Sequence, residues 1–236
     1  MKIARLLPSL LMLAVLCAPT PLLAQLRFQE GKHYTTVPTP MAAGLAPAGK
    51  VEVTEVFSYI CSHCYEWQGL VEGLKTALPE DAALTYVHAG FNQYWPLFQR
   101  AHLTAQKLGV ADRNHKRMFT AVWETQEFPF LDKTTGRPLA TPPTMADFAR
   151  FYAKGGGVTE AEFLKTATSP AINAAVERAE SLVKGWRVSG TPSFLVGGRY
   201  MVAPESVSSE KELHDLFSFL VSLERSRLKK AAAPAK

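Results

Sequence analysis

Apolar and polar residues alternate over positions 50–58, and the pattern changes to a helical period directly afterwards. The alternation places four side chains on one face of a predicted strand: Val51, Val53, Glu55 and Phe57. A helix is predicted from Cys61 to about Leu78, where a proline follows and ends it. A second strand is predicted over 84–88, and a short edge strand over 33–37. The first third of the chain therefore has the order strand, strand, helix, strand.

The middle of the chain, positions 96–185, is predicted to be helical except for a loop rich in proline and threonine over 125–143. Pro96 suits a first helical position because it has no backbone N–H to leave unpaired. Thr144 and Thr159 each precede an acidic residue by three positions, which is typical of a capping box. Asp112 is expected to cap another helix of this block. These signals predict several short helices rather than one long helix.

Strand signals return near the end of the chain. Residues 193–196 and 199–202 flank Gly197-Gly198, which is typical of a two-residue hairpin turn. Ser209 is expected to start a final helix with an apolar face. The whole order predicts an α/β fold in which an all-helical insertion divides one sheet domain into two parts of the sequence.

Four segments are expected along the chain. They are 1–24, a signal peptide; 25–93, the first part of the sheet domain; 94–186, the helical insertion; and 187–236, the second part with a C-terminal helix and tail. The first segment has a positively charged start, an apolar run and small residues that end at Ala24. This pattern predicts export and cleavage near that residue. A lipid anchor at Cys17 is the weaker alternative, because bulky Leu16 precedes it.

The formal net charge of +5 does not indicate a nucleic-acid-binding protein. Loss of the signal peptide removes Lys2 and Arg5, which leaves an excess of +3. That excess equals three lysines in the C-terminal tail: Lys229, Lys230 and Lys236. No basic face of the kind that nucleic acids require remains. We interpret the tail as a solvated helix end, where cations are favoured, rather than as a membrane-binding surface.

Two cysteines three positions apart, Cys61 and Cys64, carry the candidate chemistry. At this spacing on a helix, Cβ atoms are about 5–6 Å apart, near enough for a disulfide with local adjustment. A loop this short stabilises the fold little, so the spacing favours redox chemistry over a structural crosslink. The start of the helix would stabilise a thiolate at Cys61 and lower its pKa, and His63 adds a further donor.

Cys64 lies one turn inside the predicted helix and is expected to be the more buried sulfur. Its predicted role is to resolve a mixed disulfide formed at Cys61, which requires loss of a proton. Glu55, on an otherwise apolar strand face, is the candidate acceptor of that proton. The alternative is that Glu55 faces a solvated crevice.

Pro192 directly precedes an apolar strand, where proline is unusual because it withholds a backbone donor. A cis peptide bond is one explanation, and it would leave the backbone of Thr191 free near the cysteines. An extended substrate segment could then pair with that backbone. The alternative is an ordinary trans proline in a turn.

These motifs together resemble the DsbA family of periplasmic thiol:disulfide oxidases. Residues 30–36 are similar to the family's N-terminal strand, and 55–67 to its acid, cysteine pair and following helix. The segment Gly190-Thr191-Pro192 is similar to its cis-proline element. The resemblance implies a thioredoxin-like fold with an all-helical insertion domain. It also implies a periplasmic oxidase that donates its disulfide to newly exported proteins with free cysteines.

The resemblance further implies a role for each site residue. Cys61 would be the exposed nucleophile, Cys64 the resolving sulfur, and Glu55 the buried acid. His63 would tune the oxidant strength together with Ser62, which replaces the proline of the family's commonest Pro-His dipeptide and is expected to alter the redox poise. The implied reoxidant is a membrane quinone-linked, DsbB-like thiol oxidase. No bound cofactor is expected, and the protein is expected to be a monomer.

Two alternative functions use the same thiol pair. A disulfide reductase or isomerase would keep the pair reduced at rest, and a soft-metal carrier would bind Cu(I) through both thiolates. Two thiolates cannot complete a four-coordinate zinc site. Five other histidines show no ligand spacing and are expected to be structural or exposed: His33, His88, His102, His115 and His214. We therefore expect no metal site.

Overall fold

The computed structural model describes residues 27–130 and 141–232. The predicted signal peptide lies outside the described residues. Within these two ranges, none of the helices combines the length and the apolar character that a membrane span requires.

A five-stranded mixed sheet lies at the centre of the fold. Its strands are β1 (Tyr34–Thr36), β2 (Val51–Phe57), β3 (Ala82–His88), β4 (Ser193–Val196) and β5 (Tyr200–Val202). Their order across the sheet is β1-β5-β4-β2-β3, and only the β2–β3 pair is parallel. The edge strand and the glycine hairpin predicted from the sequence are both confirmed, because β1 lies at the edge and Gly197-Gly198 connects β4 to β5 with positive φ.

The helices of the described residues are α1 (Ser62–Glu66), α2 (Gln68–Ala77), α3 (Trp95–Lys107), α4 (Ala111–Trp123), α5 (Met145–Lys154), α6 (Glu160–Ala167), α7 (Pro170–Gly185) and α8 (Glu210–Ala232). Both predicted capping boxes, at Thr144 and Thr159, are confirmed. The predicted cap at Asp112 is wrong, because Val110 occupies the cap position. Asp112 lies instead in the first turn of α4, where the positive end of the helix dipole favours a carboxylate.

The single helix predicted from Cys61 to Leu78 is also wrong, because the structure has two helices that meet at Trp67. The backbone N–H of Trp67 donates to the carbonyl groups of both His63 and Tyr65, which tightens the last turn of α1. The indole ring stacks on Phe194 of β4 at 5.9 Å between ring centroids. The break therefore lies at a residue with a long-range aromatic contact and at neither glycine nor proline.

The two faces of the sheet bury separate apolar clusters. One cluster includes Val53, Phe57 and Phe194, and α8 packs on this side of β2 and β4. The other cluster includes Val56, Val87, Leu195 and Trp186. Glu55 shares the face of Val53 and Phe57, so its side chain lies on the side of the first cluster.

The helices α3 to α7 follow one another between β3 and β4, within the segment 94–186 expected to be an insertion. The short helix α1 begins five residues after the end of β2. The cysteine pair therefore lies at the carboxyl end of a central strand, beside the helical part of the chain. The segment limits themselves stay a prediction.

Candidate active site

Cys61 occupies the N-cap position of α1, where it faces unpaired backbone donors. Its Sγ accepts a hydrogen bond from the backbone N–H of Cys64 at 3.4 Å. The same thiol donates to the backbone carbonyl oxygen of Thr191, also at 3.4 Å. Both cysteines are free thiols, with Cys61 partly exposed and Cys64 fully buried. The predicted difference in burial between the two sulfurs is confirmed.

Hydrogen bonds lower the pKa of the Cys61 thiol to about 5. The largest contribution comes from the Cys64 side chain, and the Thr191 side chain and the backbone N–H groups of Cys64 and His63 add to it. Partial burial acts in the opposite direction. At neutral pH the Cys61 sulfur is therefore mostly a thiolate, which is the nucleophilic form of cysteine.

Burial raises the pKa of the Cys64 thiol, and its hydrogen bond to Cys61 and the nearby carboxyl group of Glu55 raise it further. Cys64 is consequently a neutral thiol at neutral pH. The two sulfurs of the pair thus have opposite chemistry, one ready to react and one that must first lose its proton.

Glu55 is fully buried in β2, so the alternative of a solvated crevice is wrong. Burial, and to a smaller extent the charge of Cys61, raises the pKa of its carboxyl group to about 8. Neither carboxyl oxygen has a hydrogen-bond partner among the described residues. A carboxyl group with this pKa can both take and return a proton near neutral pH. Its action on Cys64 stays a prediction.

Replacement of Glu55 by glutamine is expected to slow the attack of Cys64 on a mixed disulfide held at Cys61. A general base typically accelerates such a step by about 10²-fold or more, and glutamine cannot take a proton. The measurement is the rate at which glutathione leaves a preformed Cys61–glutathione disulfide, recorded between pH 6 and 9. In the native protein the rate rises as Glu55 ionises, whereas in Glu55→Gln that part of the rise is lost.

Glu52→Gln is the matched control, because Glu52 is also a nearly buried carboxyl group of β2. Its oxygens accept backbone N–H bonds from Gly44, Leu45 and Ala46, away from the cysteines. We expect it to reduce stability and to leave the release rate unchanged. Equal rates for all three proteins would refute the role of Glu55.

The Thr191–Pro192 peptide bond is cis, so the trans alternative is wrong. The hydroxyl group of Ser193 donates to the carbonyl oxygen of Gly190 at 2.8 Å, across this turn. The contact between Thr191 and Cys61 joins residues 130 positions apart in the sequence. The fold therefore brings the segment Gly190-Thr191-Pro192 and the cysteine pair together, as the sequence predicts.

The His63 side chain is exposed, and its Nδ1 lies 3.2 Å from Oε2 of Glu66, one helical turn further along. His63 acts on the Cys61 sulfur through its backbone N–H. Ser62 is the exposed first residue of α1. The expected tuning of the redox poise by Ser62 and His63 stays a prediction.

The sequence did not identify Tyr59, two positions before the cysteine pair, as part of the site. Its hydroxyl oxygen lies 3.1 Å from Nδ1 of His102 and 3.2 Å from Nδ1 of His115. Its backbone N–H donates to Nε2 of His88 at 3.3 Å, and its carbonyl oxygen accepts from Nε1 of Trp123 at 2.8 Å. These partners are 29 to 64 positions away, so no local pattern indicates them.

Burial keeps the three histidines around Tyr59 uncharged. It lowers the pKa of His102 to about 3, and it lowers the pKa values of His88 and His115 well below the usual range. Across 27–130 and 141–232, no group of three or more histidine, cysteine or acidic side chains has an arrangement that could hold a metal ion. The histidines therefore form a neutral hydrogen-bonding cluster beside the thiol pair.

Comparison with known proteins supports a redox role for this site. A family model described as thioredoxin matches residues 36–215. The thiol:disulfide interchange protein DsbA of Pseudomonas aeruginosa is 30% identical over 203 residues, which cover 86% of this chain and 89% of that protein. The DsbA of Bordetella parapertussis is 31% identical over 195 residues, which cover 83% of this chain and 85% of the relative.

Solved structures of similar proteins confirm the predicted fold, which is thioredoxin-like with an all-helical insertion. The oxidoreductase DsbA from Xylella fastidiosa superimposes with a TM-score of 0.67 at 32% identity, covering 82% of this chain and 96% of that one. Pseudomonas aeruginosa DsbA superimposes with a TM-score of 0.68 at 28% identity, covering 86% and 97% of the two chains. The comparisons favour a thiol:disulfide oxidoreductase over a metal carrier.

Proposed function

The chain belongs to the DsbA family of thiol:disulfide interchange proteins, and from this premise we propose that it donates its Cys61–Cys64 disulfide to newly exported proteins in the periplasm. It is a thiol:disulfide oxidoreductase, as its family is. The observation that carries the proposal is the partly exposed Cys61 sulfur at a helix start, with its pKa lowered to about 5. A cysteine with this pKa is a good leaving group, so the protein gives up its disulfide readily.

The reaction takes place in two exchange steps. A client thiolate attacks the Cys61 sulfur, the bond between Cys61 and Cys64 breaks, and Cys64 leaves with the electron pair. Glu55 supplies the proton that makes Cys64 a neutral thiol. A second client thiolate then attacks the client sulfur of the mixed disulfide, and Cys61 leaves as a stabilised thiolate. The client gains one disulfide, and the cysteine pair gains two electrons.

The backbone at Thr191 is the proposed docking edge for the client. Its carbonyl oxygen lies 3.4 Å from the Cys61 sulfur. An extended client segment that paired with this backbone would hold its own cysteine beside Cys61. Recognition through main-chain groups would suit an enzyme whose clients differ in sequence.

The partners and the location rest on the family premise and the N-terminal sequence pattern. We propose that the chain is exported, that the signal is cleaved near Ala24, and that the protein is a monomer in the periplasm. A membrane quinone-linked, DsbB-like thiol oxidase would then accept the two electrons from reduced Cys61 and Cys64. Neither donor nor acceptor requires a cofactor bound to this chain.

Replacement of Cys64 by serine is expected to trap clients on Cys61 in a producing cell. In this variant the Cys61 thiolate attacks a disulfide already formed in a client, and one client sulfur leaves as a thiol. A serine hydroxyl cannot resolve the resulting mixed disulfide, so linked species should accumulate at least about tenfold over the native protein. The measurement is the recovery of disulfide-linked complexes from the periplasm under acid quench, separated with and without reductant. Mass spectrometry would identify the client cysteines.

The double variant Cys61→Ser, Cys64→Ser is the control, because it keeps the fold but has no sulfur to form a link. We expect it to recover no linked clients. If Cys64→Ser also recovers none, while Cys61 remains accessible to an alkylating reagent, the proposed donation of a disulfide to exported proteins is refuted.

A further inference from the structure

Every polar group of Tyr59 has a hydrogen-bond partner. The partners of its hydroxyl group, backbone N–H and carbonyl oxygen are the side chains of His88, His102, His115 and Trp123. Three of the four belong to the helical insertion, since His102 lies in α3 and His115 and Trp123 lie in α4. Tyr59, a residue of the sheet domain, is thus bound mainly by side chains of the helical insertion.

Tyr59 lies in the turn that delivers Cys61 to the start of α1. The backbone N–H of Cys61 donates to the carbonyl oxygen of Ser58 at 3.1 Å, and that of Ile60 donates to the Ser58 hydroxyl oxygen at 3.3 Å. Tyr59 is one of the two middle residues of this turn, and only 1% of its surface is exposed. A movement of Tyr59 therefore moves the Cys61 sulfur relative to the helix that stabilises its charge.

Trp123 contacts the chain on both sides of the cysteine pair. Its indole N–H donates to the carbonyl oxygen of Tyr59, before Cys61, at 2.8 Å. Its ring stacks on Tyr65, directly after Cys64, with centroids 5.7 Å apart and planes 16° apart. The Tyr65 hydroxyl group donates to Oε1 of Glu124, the residue that follows Trp123, at 3.2 Å. The end of α4 thus joins both flanks of the motif.

We propose that the helical insertion positions the cysteine pair by holding Tyr59 and Tyr65, with Trp123 as the main positioning residue. This inference rests on the proposed function, because it assigns the insertion a part in setting the reactivity of Cys61. Trp123 donates its hydrogen bond to the backbone of the turn, and it acts through that backbone. Among the three neutral histidines, His102 and His115 hold the Tyr59 hydroxyl group and His88 holds the Tyr59 backbone N–H, without adding a charge beside the thiolate.

The physical effect follows from the directions of the donors. The Cys61 sulfur is stabilised by hydrogen bonds from the Cys64 side chain and from the backbone N–H groups of Cys64 and His63, which act only while the sulfur stays within reach of these donors. If the turn at Tyr59 is loosened, the sulfur samples positions away from those donors. The Cys61 thiolate then becomes less stable, and the oxidised form becomes a weaker oxidant.

The test is Trp123→Phe, which keeps an aromatic ring for Tyr65 and removes the hydrogen bond to Tyr59. We expect the pKa of Cys61 to rise by about half a unit to one unit, and the equilibrium constant with glutathione to shift about three- to tenfold towards the protein disulfide. Thiolate absorbance against pH gives the first quantity, and glutathione redox titration gives the second. Tyr59→Phe is a second variant, expected to change both in the same direction.

Trp186→Phe is the matched control, because Trp186 is a buried tryptophan whose indole N–H donates to the carbonyl oxygen of Met41 at 2.9 Å. It lies in the cluster on the other face of the sheet. We expect it to lower the melting temperature and leave the pKa of Cys61 unchanged. If neither Trp123→Phe nor Tyr59→Phe changes that pKa, or if Trp186→Phe changes it equally, the inference is overturned.

The same titration separates this inference from the proposed function. If native Cys61 titrates like an ordinary cysteine, the proposed function fails, whatever the variants show. If native Cys61 has a low pKa that neither Trp123→Phe nor Tyr59→Phe alters, the function stands and only the positioning role of the insertion is refuted.

Discussion

Cys61→Ser is expected to reduce the protein's thiol oxidation activity to the uncatalysed background, a loss of at least about a thousandfold, or about 4 kcal/mol of barrier stabilisation. Cys61 is the partly exposed sulfur, and its pKa is lowered to about 5. The remaining sulfur, Cys64, is fully buried, and its pKa is raised. A lone neutral thiol with no solvent-exposed surface can neither form the internal disulfide nor react with a client. The measurement is the rate of disulfide formation in a reduced two-cysteine peptide supplied with oxidised protein.

The paired variant Cys64→Ser separates the reactivity of the Cys61 thiol from catalytic oxidation of the peptide. It should also lose catalytic oxidation, yet its Cys61 thiol should react with an alkylating reagent at pH 6, where an ordinary cysteine is protonated. Cys61→Ser should stay unmodified under the same conditions until the protein unfolds. Rapid modification of Cys64 in the folded Cys61→Ser variant would contradict the assignment of the two sulfurs.

The parts of the site that the sequence predicts are those encoded by short spacings. The three-residue spacing of Cys61 and Cys64 predicts one sulfur at a helix start and one inside, as the structure shows. Glu55 is predicted to be buried because its neighbours on the strand face are apolar, and Pro192 is singled out because it precedes an apolar strand. In each case a local pattern limits what the backbone can do.

The parts that the sequence misses depend on contacts between distant elements. No local pattern marks Tyr59, because its importance comes from side chains 29 to 64 positions away. The interruption at Trp67 lies at a residue that stacks on distant Phe194 and that is not helix-breaking. The sequence indicates His63 as a donor to the sulfur, but it does not show that the ring pairs with Glu66 and that the backbone N–H stabilises the thiolate. Pattern reasoning identifies the reacting atoms, and the packing shows what holds them.

The last prediction concerns stability: the reduced protein should resist unfolding better than the oxidised protein, by a margin that grows with pH from about 5 to 8. Cys61 has a pKa of about 5 in the folded reduced protein, against the ordinary cysteine value of 9.0. A lowered folded pKa contributes stability that is complete above the unfolded value and lost as the pH falls through about 5. The disulfide form has no thiolate, and its short loop constrains the unfolded chain little.

Two neighbouring groups affect the size of this margin. Burial raises the pKa of Glu55 to about 8, so its contribution to stability is lost as the pH rises through that value. Glu55 is present in both redox forms, and most of its effect cancels in their difference. Its repulsion of the Cys61 thiolate does not cancel, and it should flatten the margin above about pH 8. The raised pKa of Cys64 matters only at higher pH.

The measurement is urea unfolding of both redox forms between pH 5 and 8, with Cys61→Ser under reducing conditions as the control. The pKa difference sets an upper limit of about 1.4 kcal/mol per pH unit. Because Cys61 is only half-buried, solvent screening lowers the expected margin to about 2 kcal/mol at pH 8. Cys61→Ser has no such thiolate, so its free energy of unfolding should lack the increase with pH that the thiolate gives the reduced native protein.

If the oxidised form is the more stable at pH 8, or if the stability margin does not change with pH, then Cys61 is not held as a stabilised thiolate. Stabilisation of the thiolate would then not favour transfer of the disulfide to a client.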